Sequence, residues 1–317
     1  MALLVGVLAF WALVALRCRR PAARADYRAK PGADWALDVV SLLAQGVLLP
    51  LAHVALAWAV TGALAPELRG SVALPGWLVL PASFVLLDAL YYANHRLLHA
   101  RALWPLHLVH HTVTDLDVLG TARNTLWAHL LLVPFWVTGA AVLVLEDPRA
   151  WLAGVTLTAA LDLWRHSDLD LPAGGRLERL LGLVLVLPRD HAWHHAADAP
   201  PGNFGQNLNV WDRLFGTWLG APAFAGRPER LGVPTTLSLP RRLLWPFPAH
   251  PGAPPPGSPL PVPVPVPVPV PAASDALAPS PEGAPPPGSL PAPPPSSLAL
   301  ALALALPLPL FPLLPPA

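Results

Sequence analysis

Long apolar stretches separated by short polar links dominate the first part of the chain. The first covers residues 2–16, and two more cover about residues 35–64 and 72–92. A helix needs about 20 apolar residues to cross the hydrocarbon core of a bilayer. The pattern therefore predicts a hairpin of two membrane helices, preceded by an N-terminal membrane helix that is short for a complete span.

A second pair of apolar stretches follows at residues 126–145 and 150–163, with a polar turn at residues 146–149. Short links of this kind join antiparallel neighbouring helices. A last apolar run, residues 177–187, is too short to span a bilayer, and we interpret it as interfacial or re-entrant. The pattern thus predicts two helical hairpins and one shorter apolar segment.

The basic residues orient these hairpins. Residues 17–31 carry six Lys or Arg side chains against the single acid Asp26, and this excess predicts a cytoplasmic loop. Because the positive charge follows the first apolar run instead of preceding it, we interpret that run as an uncleaved helix and not as a signal peptide. Counting along the hairpins from this loop returns the chain to the cytoplasmic side near Tyr92 and again near His166.

Composition supports a membrane protein. The 317 residues are 54% hydrophobic and only 12% charged, whereas a soluble domain usually carries about 25% charged residues. The formal net charge of +1 argues against nucleic acid as a partner, because a phosphate-binding surface needs an excess of basic residues. From about Pro246 the chain becomes rich in Pro, and its Pro-Val repeats favour an extended, disordered spacer over a helix or a sheet.

Eight of the 12 histidines fall into three clusters. The first has the pattern HxxxH, and the other two have the pattern HxxHH. Positions i, i+3 and i+4 share one face of a helix, so each cluster is predicted to present its imidazoles together. Imidazole suits iron, zinc, copper and nickel, and eight imidazoles are about right for two metals. The clustered residues are His95, His99, His107, His110, His111, His191, His194 and His195.

These observations together predict an all-α fold: an integral membrane helical bundle with a histidine-rich helical cap that faces the cytoplasm. We divide the chain into residues 1–31 with the N-terminal helix and basic loop, residues 32–245 with the metal-binding membrane domain, and the tail of residues 246–317. Histidines outside the clusters are interpreted as structural. His53 and His250 belong to this class, and His129 is interpreted as a residue on a helix face.

The order of the three clusters resembles the fatty acid hydroxylase/sterol desaturase superfamily of membrane oxygenases. The likeness extends to the segment from Asp88 into the first cluster and to Leu103-Trp-Pro-Leu-His107. It also includes Trp164-Arg-His166-Ser, Asn203-Phe-Gly205 and Trp211-Asp-Arg-Leu-Phe-Gly-Thr217. In all, it covers about residues 80–220.

The resemblance implies a di-iron centre with two iron ions, O2 as cosubstrate, and hydroxylation or desaturation of a C–H bond in a lipid, either a sterol or a fatty acyl chain. It adds His166 as a ninth metal ligand beside the eight clustered histidines. It also implies an electron donor such as a cytochrome b5-, ferredoxin- or rubredoxin-like protein. We interpret Arg96, Arg101, Arg165 and Arg189 as markers of membrane topology more readily than as a docking surface for that donor.

One position departs from the family pattern. Many members carry a histidine two residues after the Arg of Thr121-Ala-Arg123, where this chain has Thr125, and His129 is a candidate to replace it. Asp162, one turn before His166, is either a tenth ligand or a partner that orients an imidazole. Asp212 and Arg213 are expected to pair and to fix the segment beneath the metals.

Two other functions remain open at this point. Nine histidines could bind zinc in a membrane hydrolase, but the chain has no HExxH motif and no glutamate within the clusters. A non-catalytic relic of the family is the second alternative, and Thr125 is its only support.

Overall fold

The computed structural model describes residues 2–220, 224 and 226–247, with side chains from Val5 onward. This part of the chain is built from helices joined by turns, and its only β pairing is three isolated bridges. The mostly helical fold that the sequence predicts is therefore confirmed. The helices are α1 (Ala2–Arg17), α2 (Pro21–Ala29), α3 (Gly32–Leu43), α4 (Leu49–Leu64), α5 (Gly76–Leu98), α6 (Trp104–Leu108), α7 (Val133–Val144), α8 (Arg149–Arg165), α9 (Arg176–Leu181), α10 (Pro188–His194), α11 (Val210–Leu214) and α12 (Leu239–Leu244).

In the part of the chain that the structure describes, two helices are long and apolar enough to cross a membrane. Helices α3 and α4 are joined by a turn of π-helix, Ala44–Leu48, into one helix of 33 residues, and α5 has 23 residues. Large apolar side chains project from them into the surroundings: Leu64 is 80% exposed and Trp77 is 78% exposed. Because such surfaces are costly in water, this exposure fits helices that face lipid.

The second hairpin is shorter than the apolar pattern suggests. Helix α7 has 12 residues and α8 has 17, which at a rise of 1.5 Å per residue gives about 18 and 26 Å. Residues 128–131 form a 3-10 turn, and α7 begins only at Val133, with Pro134 in its first turn. Proline is common in the first turn of a helix because a backbone N–H group at this position would have no partner within the helix.

The turns of both hairpins lie side by side. The backbone N–H groups of Gly70 and Val72 donate to the carbonyls of Leu143 (3.0 Å) and Val144 (2.9 Å), and Glu146 N–H donates back to Val72 (3.0 Å). Helix α7 packs on α4, and α8 packs on α5 and α1. Both hairpins therefore turn at one end of the bundle, and their histidine-bearing ends lie together at the other.

The basic segment that begins at Arg17 has a defined structure and specific contacts. Most of it is helix α2, and Arg17 at the end of α1 is fully buried. Its guanidinium contacts the carboxylates of Asp115 at 2.5 Å and Asp168 at 3.1 Å. The N-terminal helix is thus tied to loops beside the histidine clusters. Most of the Pro-rich tail predicted from residue 246, with His250, lies outside the described residues.

Helices α5 and α8 cross closely at Gly154. A Cβ atom at this position would lie 3.1 Å from the Leu80 carbonyl oxygen and would overlap the Ser83 hydroxyl. Small residues allow helices to approach in this way, and packing of this kind is the main source of association between membrane helices. Gly154 therefore sets the spacing between α5, which carries His95, and α8, which ends directly before His166.

We predict that Gly154→Leu destabilises the protein by about 1–3 kcal/mol, because the larger side chain must push the two helices apart. Thermal unfolding of the detergent-solubilised protein measures the effect. Gly6→Leu is the matched control, since nothing lies within 4 Å of a Cβ at this position. Equal unfolding midpoints for the two variants would contradict the close crossing.

Candidate metal centre

All nine histidines that the sequence analysis singles out meet at one end of the bundle, in two groups. In each group the ligand nitrogens lie within 4.8 Å of one another. Eight of the nine side chains are buried, and His99 is half-buried. The first group is His95, His99, His107, His111 and His194, and the second group is His110, His166, His191 and His195.

Each HxxHH cluster is divided between the two groups. In the second cluster His107 and His111 join the first group and His110 joins the second, while in the third cluster the i+3 residue His194 separates from His191 and His195. The expectation that all three imidazoles of a cluster point to one place is therefore wrong. Successive residues point in directions about 100° apart on an α-helix, so positions i+3 and i+4 of one cluster can reach different groups. In the third cluster this happens at the end of α10, and in the second cluster in the 3-10 turn His110–Thr112 that follows α6.

Backbone carbonyls orient four of the imidazoles. In each case Nδ1 lies at hydrogen-bond distance from a carbonyl oxygen, so that Nδ1–H donates and Nε2 faces the group. The four bonds are His95 to Phe204 (2.8 Å), His194 to Gly202 (2.8 Å), His110 to Arg123 (3.2 Å) and His166 to Asp162 (2.9 Å).

The facing nitrogens fit a bound cation. Nε2 of His110 lies 3.3 Å from Nε2 of His166, and Nε2 of His166 lies 2.9 Å from Nε2 of His191. A neutral imidazole has one N–H. Because His110 and His166 both use theirs at Nδ1, two lone pairs face each other between them, an arrangement that a metal ion between the nitrogens stabilises.

Other buried nitrogens support the same conclusion. Nε2 of His99, His111 and His194 is buried without a hydrogen-bond partner among the described residues. Buried polar atoms are almost always paired, because leaving one unpaired costs about 1–3 kcal/mol. Coordination to a metal would satisfy all three atoms, so the residues of the first group also fit a metal ion.

The protonation state of the site suits metal binding. Burial, together with the neighbouring imidazoles, holds the pKa of His107, His111 and His195 well below its ordinary value. Burial lowers the pKa of His194 to about 3. These imidazoles are therefore neutral at physiological pH, which is the form that coordinates metals.

Asp162 orients a histidine and belongs to neither group. Its Oδ1 lies 3.2 Å from Nδ1 of His166, and its carboxylate also pairs with the Arg165 guanidinium. The structure thus favours the orienting role over that of a tenth ligand. Among the described residues no carboxylate or thiolate joins either group, and an all-imidazole donor set suits iron, zinc, copper or nickel.

Asp212 holds the segment beneath the first group, but Arg213 is not its partner. Its carboxylate accepts hydrogen bonds from the backbone N–H groups of Phe204 (2.8 Å) and Gly205 (2.7 Å) and from the Thr217 hydroxyl (2.7 Å). Arg213 instead donates to the Asn209 side chain (3.1 Å). Since the Phe204 carbonyl orients His95, the predicted fixing role of Asp212 has different partners from those expected.

A second buried carboxylate, Asp88, has a role that the sequence analysis missed. It accepts hydrogen bonds from the backbone N–H groups of Asn207 (2.7 Å) and Leu208 (3.1 Å) and from the Trp211 indole (2.9 Å). Its place in an apolar helix, seven residues before His95, is the signal that could have indicated this role. Asp88 ties α5 to the loop that Asp212 holds.

Two of the arginines interpreted as topology markers make specific contacts. Arg165 is fully buried, pairs with Asp162 and donates to the Gly205 carbonyl at 2.7 Å. Arg189 pairs with Glu178 at 2.6 Å. Arg165 therefore has a structural role: its charge is balanced inside the protein, where it connects α8 to the loop after α10.

His129 does not take the place of the histidine that many family members have at the position of Thr125. It lies in the 3-10 turn Ala128–Leu131, not on an α-helix, and stacks on Phe135 with ring centroids 4.9 Å apart. Thr125 is fully buried, and its hydroxyl has no hydrogen-bond partner among the described residues. His53 is buried and its Nδ1 lies 2.7 Å from the Leu49 carbonyl, as expected for a structural histidine.

Comparison with known proteins agrees with this geometry. Residues 80–217 match the family model described as fatty acid hydroxylase. Ornithine lipid hydroxylase OlsE of Rhizobium tropici is 35% identical over 41% of this chain and 39% of its own length. Fatty acid hydroxylase vlmA of Lecanicillium sp. is 30% identical over 44% of this chain and 42% of its own.

Alkylglycerol monooxygenase of Danio rerio is 26% identical over 43% of this chain and 29% of its own length. The chain therefore spans about two fifths or less of the length of these relatives. No solved structure matches it.

We predict that Asp212→Ala destabilises the protein by about 3 kcal/mol, because two buried N–H groups lose a charged acceptor. The measurement is the thermal unfolding midpoint in detergent. Asp170→Ala breaks the ion pair with Arg227 at the surface and should cost less than about 1 kcal/mol. If both variants unfold at the same temperature, Asp212 does not hold the loop.

Proposed function

Residues 80–217 of this chain form a fatty acid hydroxylase domain, and from this premise we propose that the protein is a membrane-bound oxygenase that hydroxylates a lipid. The observation that carries the proposal is the pair of imidazole groups at one end of an apolar helical bundle. One group has five imidazoles and the other has four, so each group could bind one metal ion.

We assign two iron ions to these groups, with the nine histidines as their ligands. A pair of irons held by these residues would supply what no protein side chain can, the activation of O2 for attack on an unreactive C–H bond. One oxygen atom of O2 would enter the new C–O bond. The other would be reduced to water with two electrons from the donor protein and two protons. The chain contributes the orientation of the ligands through the carbonyls of Phe204, Gly202, Arg123 and Asp162.

The protein also keeps bulk water away from the reacting atoms. His95, His191 and His195 are at most 1% exposed, although they carry the polar atoms of the site. Exclusion of water protects a strong oxidant from side reactions. Both candidate spans expose apolar side chains along their length, so a lipid can reach the protein directly from the bilayer.

The substrate that we propose is a lipid with an acyl or alkyl chain, and the reaction is hydroxylation instead of desaturation. Three relatives are named for ornithine lipid, fatty acid and alkylglycerol, and their names describe hydroxylases or a monooxygenase. We further propose that the histidines face the cytoplasm and receive electrons there from a cytochrome b5-, ferredoxin- or rubredoxin-like donor. The basic segment after α1 supports this orientation.

The alternatives have less support. A zinc hydrolase would need a general base near the metal, and no glutamate belongs to either group among the described residues. A non-catalytic relic would be expected to have lost ligands, whereas all nine candidate histidines lie in the two groups and Thr125 leaves neither group short of donors.

We predict that the purified full chain contains two irons and that membranes with it accumulate a lipid whose mass is increased by one oxygen. His194→Ala and His110→Ala, one from each group, should each abolish this product because an incomplete site cannot activate O2. Lipid mass spectrometry and iron analysis are the measurements.

His53→Gln is the matched control, because His53 is a buried histidine outside both groups. A glutamine side chain can replace its hydrogen bond to the Leu49 carbonyl. It should retain both iron and product. Full activity in either alanine variant would overturn the ligand assignment, and tight zinc with no O2-dependent product would overturn the proposed reaction.

A further inference from the structure

Helix α3 and the π-helical turn after it carry a stripe of polar residues on an otherwise apolar helix. Asp34, Asp38, Ser41 and Gln45 are spaced by four, three and four residues, which places them on one helix face. Asp38, Ser41 and Gln45 are at most 1% exposed. Polar side chains in a membrane helix are costly and usually serve a function, so we expect this polar stripe to have a specific role.

The acidic half of the polar stripe binds one arginine. Asp38 accepts hydrogen bonds from Arg123 Nε at 2.5 Å and from the terminal nitrogen Nη2 at 2.9 Å, a two-bond pairing that fixes the guanidinium plane. Asp34 lies 3.7 Å from the other terminal nitrogen. Arg123 is itself 2% exposed.

Lys30 and Arg242 balance the remaining charge. The Lys30 ammonium contacts Asp38 at 2.8 Å and Asp117 at 2.6 Å, and Arg242 contacts Asp34 at 2.8 Å, so three carboxylates face three cations. Balance of this kind matters because removing one partner leaves an uncompensated buried charge.

Ser41 and Gln45, the other half of the polar stripe, bind the backbone of the two residues that follow Arg123. The Ser41 hydroxyl donates to the Asn124 carbonyl at 3.1 Å, and the Gln45 amide donates to the Thr125 carbonyl at 3.0 Å. Gln45 lies in the π-helical turn Ala44–Leu48, and such turns often occur at functional sites. Three successive residues, 123–125, are thus fixed along one face of a membrane helix.

Residue Arg123 connects the polar stripe to the metal centre. Its carbonyl lies 3.2 Å from Nδ1 of His110, and its guanidinium reaches the Thr112 carbonyl at 3.4 Å. His110 is the one member of the second group that comes from the second cluster. The position of Arg123 therefore decides where the Nε2 atom of His110 points.

We infer that Asp38, Ser41 and Gln45 are positioning residues for the second metal and act on His110 through residues 123–125: Asp38 holds the Arg123 side chain, and Ser41 and Gln45 hold the carbonyls of the two residues that follow it. The inference rests on the proposed function, because it assumes that the second group binds a metal. Loss of the polar stripe frees the Arg123 carbonyl, lets the His110 ring rotate, and weakens the second group while the first group keeps all five imidazoles.

The test is a titration of the purified, metal-free full chain with Co2+ alone, followed by its visible absorption. The wild type should bind two equivalents. Partners that orient a ligand typically change metal affinity by about 10–100-fold, so Asp38→Asn should weaken one equivalent by this factor and leave the other unchanged. Ser41→Ala is a milder change and should weaken the same equivalent by a smaller factor.

Asp115→Asn is the matched control. This substitution removes the partly buried contact between Asp115 and Arg17, which lies in the same loop region. In the described part of the chain Asp115 makes no contact with Arg123. Both of its Co2+ affinities should equal those of the wild type. Equal weakening of both equivalents in Asp38→Asn and Ser41→Ala, or unchanged affinities in both variants, would overturn the inference.

The outcomes separate this inference from the proposed function. Two bound Co2+ ions with the selective loss in Asp38→Asn, but no oxygenated lipid from the iron-loaded wild type, would retain the positioning role and reject the reaction. A wild type that binds no Co2+ at all would overturn the metal centre and the positioning role together.

Discussion

The convergence of nine imidazoles at one end of the bundle is the constraint on which the rest of the structure depends. Neutral rings with lone pairs facing one another, as in His110 and His166 at 3.3 Å, gain stability only with a cation between them. The rings must therefore be held in place by something other than their own attraction. Four backbone carbonyls do this, and each comes from a segment that is itself fixed by a buried polar contact.

Carboxylates fix several of these segments. Asp212 accepts from the backbone N–H groups of residues 204 and 205, Asp88 accepts from those of residues 207 and 208, and Asp38 holds Arg123. The chain has only 19 acidic residues in all, and Asp38, Asp88 and Asp212 are fully buried against specific donors. In a protein that is poor in charge, a buried carboxylate with satisfied partners gives a loop a single position, since any other position would leave N–H groups unpaired.

Apolar pattern and length predict the candidate spans well, because membrane-facing helices depend mainly on local properties. The stretch predicted at residues 35–64 is a helix over Gly32–Leu64, and the one predicted at residues 72–92 is a helix over Gly76–Leu98. The pattern fails for residues 126–132, where apolar composition continues but the backbone forms a 3-10 turn beside Thr125. Contacts of Thr125 with the π-helical turn after α3 and of Leu126 with α12 hold the start of that segment, and hydropathy alone cannot show them.

Residue type and spacing along the chain determined which side chains gather: all nine histidines named from the sequence lie in the two groups. The division of each HxxHH cluster between the groups was decided by tertiary structure, because it depends on the direction from which the other helices approach. The partners of Asp212, Asp38 and Arg165 were decided in the same way. Hydrogen bonds between residues 85 or 119 positions apart, such as Asp38 to Arg123 and Asp88 to Asn207, form only once the helices have packed.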